Sequence, residues 1–201
     1  MKAIQWGMGA VLAVALGGCG FSLLPTADLS ATSASSDTLS YSVKQDQATG
    51  TVTYTLKANQ LTFHASAGSL GATIDGYTVR YEDSTGNPIV PGDNVAYGNI
   101  GVTVAPGLTC DDPDPSGACD LMTSKNVRYA TGPESVAVNL DLLRADIAVA
   151  SYNEWIANNS TNGWRAIVTF KGKASNGMNF SFDKDFGVAV GSTGASARSL
   201  Q

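Results

Sequence analysis

Apolar and polar side chains alternate along most of the chain. In residues 51–57, Val52, Tyr54 and Leu56 fall on one side of an extended segment, and threonines and a lysine fall on the other. Because successive side chains of a β-strand point to opposite faces, this period of two predicts a strand buried on one face. The same period recurs in residues 76–83, 100–104, 136–140, 164–170 and 178–182.

Turn-forming residues separate these segments. Asn176-Gly177 stands between two alternating stretches and predicts a β-hairpin with a type I′ turn, which needs positive φ at both central residues. Ser84-Thr85-Gly86-Asn87 predicts a second turn. With a last short strand over residues 187–190, we expect about seven to nine strands in an all-β, antiparallel sandwich.

One segment fits two structures. Leu140, Leu143, Ile147 and Trp155 would share one face of a helix, whereas residues 147–150 form an apolar run that also suits a strand. A short helix and a strand that crosses between sheets therefore both stay open.

Two stretches resemble known sandwich modules. Residues 76–89 (GYTVRYEDSTGNPI) and 164–182 (WRAIVTFKGKASNGMNFSF) are similar to strands and turns of fibronectin type III and bacterial immunoglobulin-like modules. The resemblance implies an immunoglobulin-like β-sandwich. The Cys-Trp-Cys core spacing of antibody domains is not found, which disfavours that branch.

The first residues predict export. Lys2 precedes an apolar run over residues 7–16, which is shorter than the roughly 20 residues that a membrane-spanning helix needs and typical of a signal peptide. The run ends in Leu16-Gly17-Gly18-Cys19, which resembles the lipobox of bacterial lipoproteins.

That resemblance implies removal of residues 1–18 and attachment of diacylglycerol and a further acyl chain, such as palmitate, to Cys19. More than one acyl chain is what stable membrane anchoring requires. Gly20 follows the cysteine in place of the aspartate typical of inner-membrane retention, so we expect the outer membrane where the cell has one. A plain secretory signal with a chance cysteine is the alternative.

Composition divides the remainder into one domain and two flexible ends. Residues 19–37 are rich in Ser, Ala and Thr and predict a tether, residues 38–190 form the sandwich, and residues 191–201 form a tail. The chain is 43% apolar and only 14% charged, which excludes a disordered protein. Its net charge of -5 argues against nucleic acid as a partner.

Cys110 and Cys119 are the two thiols left once Cys19 is acylated. They lie nine positions apart in a turn-rich, exported segment, so we expect them to form a disulfide bond.

The loop between these cysteines is acidic. Asp112, Asp114 and Ser116 match the opening of a calcium loop, and Asp120 falls at its ninth position. The twelfth position is Thr123, where an EF-hand needs a bidentate glutamate, and two prolines restrict the backbone. We therefore expect an acidic loop without a metal cofactor and keep calcium as the alternative.

Catalytic motifs are scarce. His64 is the only histidine, which excludes a three-histidine zinc site within one chain, and no G-x-S-x-G nucleophile motif occurs. We expect His64 to be a hydrogen-bonded structural residue on a strand. Trp155 and Trp164 flank a polar segment and could stack on sugar rings, although core packing is the expectation for Trp164.

These observations together indicate a non-enzymatic, lipid-anchored binding or structural module of the cell envelope. We expect an accessory subunit that contacts an envelope protein, or a second copy of itself, through a strand edge or loops. A calcium- or glycan-binding surface lipoprotein is the first alternative, and an enzyme of unknown class is the second.

Overall fold

The computed structural model describes residues 26–46, 48–89, 95–115, 119, 123–159 and 163–193. In these residues the elements run in the order β1 (Leu29–Ser33), β2 (Thr38–Gln45), β3 (Val52–Leu56), β4 (Asn59–Ala65), β5 (Ala72–Glu82), β6 (Val95–Val104), β7 (Leu108–Thr109), β8 (Arg128–Tyr129), β9 (Val138–Leu140), α1 (Ala145–Asn158), β10 (Arg165–Ala174) and β11 (Asn179–Thr193). The predicted signal peptide and Cys19 lie outside the described residues.

Two sheets face each other. One has the strand order β3-β2-β11-β10-β5-β6 and the other β1-β4-β9, while β7 and β8 pair separately. The small sheet therefore holds the first, fourth and ninth strands of the chain, and the large sheet holds six of the others. The predicted all-β sandwich is confirmed.

One pair of neighbours runs parallel. β2 lies beside β11 with Leu39 opposite Val188, whereas the other strand pairs are antiparallel. The chain passes from the small sheet to the large sheet between β1 and β2, and β2 then runs in the same direction as β11. The large sheet is therefore mixed rather than purely antiparallel.

The folded domain begins earlier than predicted. β1 lies within the segment predicted as a tether and pairs with β4, with Leu29 only 5% exposed. Residues 29–33 (LSATS) carry one large apolar side chain, so the segment has no hydrophobic period that its sequence could reveal. At the other end, residues 187–190 belong to β11, which continues through Thr193.

The ambiguous segment after β9 forms helix α1. Its buried face consists of Ile147, Ala148, Ser151 and Tyr152, which recur at helical spacing and pack towards the sandwich. The helix ends at Asn158 and is followed by Asn159, whose φ of 51° is the left-handed conformation common just after helix C-termini.

The β10–β11 hairpin is confirmed, but its turn is not type I′. Gly177 has a φ of 82°, whereas Asn176 is not among the residues with positive φ. The Gly177 amide donates to the carbonyl oxygen of Ala174 (2.8 Å), and the Ala174 amide donates to that of Met178 (2.8 Å). These bonds describe a type I turn followed by a left-handed glycine, the usual three-residue hairpin loop.

Aromatic side chains join the sheets in the core. Phe63 of β4 meets Phe170 of β10 edge-to-face at 5.0 Å between ring centroids. Phe170 also stacks on Phe182 of β11 at 5.2 Å. The predicted inward alternation of Tyr77, Val79 and Tyr81 is confirmed, since all three are buried.

Candidate functional site

A groove of about 530 Å³ opens between the two sheets along one side of the sandwich. Its walls are residues 99–102 of β6, residues 137–141 in and around β9, and Tyr77 of β5. β6 is the last strand of the large sheet and β9 the last strand of the small one. Two sheet edges therefore meet across one groove, and in the described part of the chain no strand pairs with either outer edge.

Tyr77 closes the inner wall of this groove. Its ring lies across Gly98 of β6, where an added Cβ would come within 2.3 Å of the ring, so only glycine fits there. The Tyr77 hydroxyl donates to the carbonyl oxygen of Asp141 at 3.4 Å, across the gap between the sheets. Burial, with a smaller contribution from the Asp141 carboxylate, raises the pKa of Tyr77, so the phenol stays a donor at neutral pH.

The β9 wall is short and partly apolar. Ser135 prolongs the pairing with β4, since its amide donates to the carbonyl oxygen of Phe63 at 2.8 Å. Next to it, Val136 is 83% exposed and Val138 is half-buried. An exposed valine at a free strand edge is the kind of surface that another strand covers.

The acidic loop is held by its disulfide bond and by hydrogen bonds from residues 125–128. Cys110 and Cys119 form the predicted disulfide bond, with their Cα atoms 5.8 Å apart. Asp111 accepts hydrogen bonds from Asn126 and Arg128, and these lower the pKa of its carboxyl group. Asp112 accepts one from the amide of Lys125 at 2.6 Å.

These contacts do not assemble a calcium site. Asp114 lies in the same loop, while Ser116 and Asp120 fall outside the described residues. No cluster of three or more His, Cys, Asp or Glu side chains with the geometry for a metal ion occurs among the residues that the structure describes. Calcium binding through this loop stays a prediction.

Removing the disulfide is expected to have a modest effect. The bond closes a loop of nine residues, so the double substitution of Cys110 and Cys119 by serine should lower the free energy of unfolding by about 2–3 kcal/mol. Urea unfolding of the mature domain would measure it. A loss much larger than this would indicate that the bond supports the whole sandwich rather than one loop.

His64 has the structural environment predicted for it. Its Nε2 atom lies 2.8 Å from the Ser30 hydroxyl oxygen of β1, within hydrogen-bond distance. Its Nδ1 atom is buried and has no hydrogen-bond partner in the described residues. A serine–histidine pair needs an acceptor at Nδ1 to orient the imidazole as a general base, and the described contacts provide none.

Both candidate sugar-binding indoles pack against the protein. Trp155 and Trp164 are half-buried against the core. Trp155 stacks on Tyr152 at 6.0 Å between ring centroids. The expected packing of Trp164 is confirmed, and glycan binding by this pair stays a prediction.

Comparison of the sequence with models of protein families and with curated proteins gives no match to either. Within the described residues, the structure contains no helix with the length and apolar character to cross a membrane. The groove was not predicted from the sequence, because residues 99–102 and 137–141 are separated by a long connection. The sequence pattern revealed only the short alternating segments that contain these residues, and not that the segments lie side by side.

Proposed function

We propose that the protein is a lipid-anchored binding module of the cell envelope that holds an extended segment of a partner protein in the groove between β6 and β9. It serves as an accessory subunit of an envelope assembly and catalyses no reaction. The observation that carries the proposal is the groove itself, with a strand edge on each wall that pairs with no other strand of the described residues. The lipobox-like residues that end at Cys19 support the proposed attachment to a membrane of the cell envelope.

The small sheet has room for another strand. Immunoglobulin-like sandwiches of the constant type have one sheet of four strands and one of three. Here the three-stranded sheet ends at β9, in the described part of the chain, and leaves its outer backbone groups available. An added strand would satisfy them, which is the recognition mode known as β-augmentation.

The walls define the chemistry of the partner. Ile100 and Val138 are half-buried and offer small apolar contacts, whereas Asn99, Asn139 and Asp141 make most of the groove lining polar. A fitting segment is extended, pairs mainly through its backbone and polar side chains, and has small apolar side chains opposite Ile100 and Val138. Each ladder hydrogen bond contributes only about 1 kcal/mol net, so we expect weak intrinsic binding that membrane anchoring strengthens through effective concentration.

A charge placed on the β6 edge beside the groove tests the proposal. A Cβ at Gly101 would meet no atom within 4 Å, so Gly101→Glu fits the fold and puts a carboxylate on this strand edge, where charged side chains oppose the addition of another strand. Thr53→Glu is the matched control, since Thr53 is exposed on β3 at the opposite edge of the same sheet. A photo-crosslinking amino acid at exposed Val136 should form an adduct in cells with wild-type and Thr53→Glu protein, and about tenfold less with Gly101→Glu, the loss expected from about 1.4 kcal/mol of binding energy.

The mass of the adduct distinguishes the partners. An adduct with a different envelope protein supports the accessory-subunit proposal, and one with twice the mass of the chain shows self-association in the groove. Equal adduct yields from probes at Val136 and at Thr53 would show that the partner does not bind specifically at the groove. An unchanged adduct yield in Gly101→Glu would likewise contradict binding in the groove.

The anchor has its own test. Cys19→Ser removes the atom that would carry the lipid, and each lost methylene costs about 0.8 kcal/mol of membrane affinity. We expect the variant to leave the membrane fraction completely or to accumulate with residues 1–18 uncleaved. A processed Cys19→Ser protein that still sediments with membranes would show that the location is wrong.

A further inference from the structure

Two adjoining hollows lie on the outer face of the large sheet, where exposed Lys171 follows buried Phe170. One hollow, of about 280 Å³, lies over β5 and β6, and the other, of about 470 Å³, lies over β10 and β11. Asp75 and Lys171 line both hollows and therefore stand where they meet. We call the two hollows together the outer-face site, which is lined by residues 75–78, 97–99, 171–172 and 179–181.

An irregularity in β5 shapes this site. The register of β5 with both of its neighbours, β6 and β10, shifts next to Asp75. Bulges of this kind re-aim a side chain, and here the Asp75 side chain is exposed. Beside it, a Cβ at Gly76 would lie 2.8 Å from the carbonyl oxygen of Gly98, so a larger residue does not fit. The floor of the smaller hollow is therefore largely bare backbone.

Tyr97 forms one wall of the smaller hollow. Its side chain is 72% exposed, and among the described residues it is the only exposed aromatic side chain of the large sheet. Across the sheet it lies opposite Thr78, which in turn lies opposite Thr169, so the ring stands beside a surface of small hydroxyl side chains. An aromatic ring open on this side offers apolar contact area to a flat ligand.

The charged groups of the site are not paired with each other. The Asp75 carboxylate and the Lys171 ammonium form no ion pair and no hydrogen bond within the described part of the chain. Asn179 and Ser181 add an amide and a hydroxyl group on the β11 side. The site therefore offers hydrogen-bond donors and acceptors whose two charges cancel, which favours a polar ligand without net charge over an anion or a cation.

From these observations we propose that the outer-face site binds a pyranose unit of an oligosaccharide. A pyranose with equatorial hydroxyl groups has an apolar C–H face, which fits against the Tyr97 ring. Its hydroxyl groups both donate and accept hydrogen bonds, which fits Asp75 and Lys171 on the other side of the hollow. The bare backbone between these walls leaves room for the flat sugar ring.

This inference does not depend on the proposed binding of a protein segment between β6 and β9. The outer-face site lies on the surface of the large sheet, whereas the groove lies along its edge. Tyr77 and Asn99 line both, so neither is substituted in the test. The site also differs from the segment between Trp155 and Trp164, whose indoles pack against the core.

Saturation-transfer NMR with the full chain, purified in a detergent without a sugar head group, tests the proposal. The probes are cellotetraose and tetra-N-acetylchitotetraose, both of which consist of pyranoses with equatorial hydroxyl groups. Tyr97→Ala removes the ring, and Asp75→Asn removes the charge of the acceptor. Tyr129→Ala and Asp183→Asn are the matched controls, because both residues are exposed and lie outside the site.

We expect at least one probe to bind the wild-type protein and Tyr97→Ala to weaken that binding by about tenfold or more, because the stacking contact is lost. Asp75→Asn should weaken it by about fivefold or more, because hydrogen bonds to charged groups are the stronger ones. The two controls should stay within about twofold of the wild type.

Three results would overturn the proposal. The first is that neither probe binds at concentrations up to about 10 mM. The second is binding that is unchanged in both Tyr97→Ala and Asp75→Asn, which would place any glycan site elsewhere on the protein. The third is an equal loss in Tyr129→Ala and Asp183→Asn, which would show that the sugar binds without a specific site.

Discussion

Gly172→Ala is expected to lower the free energy of unfolding by about 3 kcal/mol, the upper part of the range for overpacked cores. A Cβ at this position would lie 2.0 Å from the carbonyl oxygen of Thr73 and 2.9 Å from the Cα atom of Ile74. Both atoms belong to the backbone of β5, so no side chain can rotate to make room. The register between β10 and β5 shifts at this point, and the bulge depends on close backbone approach.

Gly101→Ala is the matched control. Gly101 also lies within a strand, but nothing stands within 4 Å of its added Cβ, so its replacement should change stability by less than about 0.5 kcal/mol. Urea unfolding of both variants would measure the difference. Equal stabilities would show that β5 and β10 can separate freely at the bulge, contrary to the packing of the sheet.

Phe170→Ala is expected to cost about 3–5 kcal/mol of unfolding free energy. The ring is fully buried and touches the small sheet through Phe63, its own sheet through Phe182, and Tyr77 at 6.2 Å. Truncation would leave a cavity between the two sheets, and the neighbouring strands are too rigidly paired to fill it. The thermal midpoint should fall together with the urea midpoint.

Phe180→Ala separates this effect from the loss of any aromatic ring. Phe180 is half-buried near the end of the same hairpin and stacks on Phe182 at 6.4 Å. Because the site is open to solvent, its truncation leaves no enclosed cavity and should cost less than half as much as that of Phe170, about 1–2 kcal/mol. A larger loss at Phe180 than at Phe170 would move the centre of the core towards the turn of the β10–β11 hairpin.

The alternating pattern predicted the strands that have one buried face. Tyr77, Val79 and Tyr81 in β5, and Val168 and Phe170 in β10, lie inward as their spacing indicates. The disulfide was also predictable, because the predicted export and acylation of Cys19 would leave only two thiols. In each case a few residues close together in the sequence are enough to make the prediction.

Local pattern failed where distant contacts decide the conformation. β1 has little apolar character and is a strand because β4 supplies its partner. The segment after Leu140 forms a helix, because a helix allows both Ile147 and Tyr152 to pack against the core and a strand does not. The hairpin turn took a type I geometry with Gly177 left-handed, although its Asn-Gly sequence also suits type I′.

The sequence by itself determined that this chain folds as a β-sandwich with one disulfide, because strand burial follows a period of two and Cys110 and Cys119 lie only nine positions apart in a turn-rich segment. Tertiary structure alone decided which strand edges stay free, since β6 and β9 become neighbours only after the sheets have closed on Phe63 and Phe170. Long-range pairing has no signature in a local pattern, and the groove is a product of such pairing.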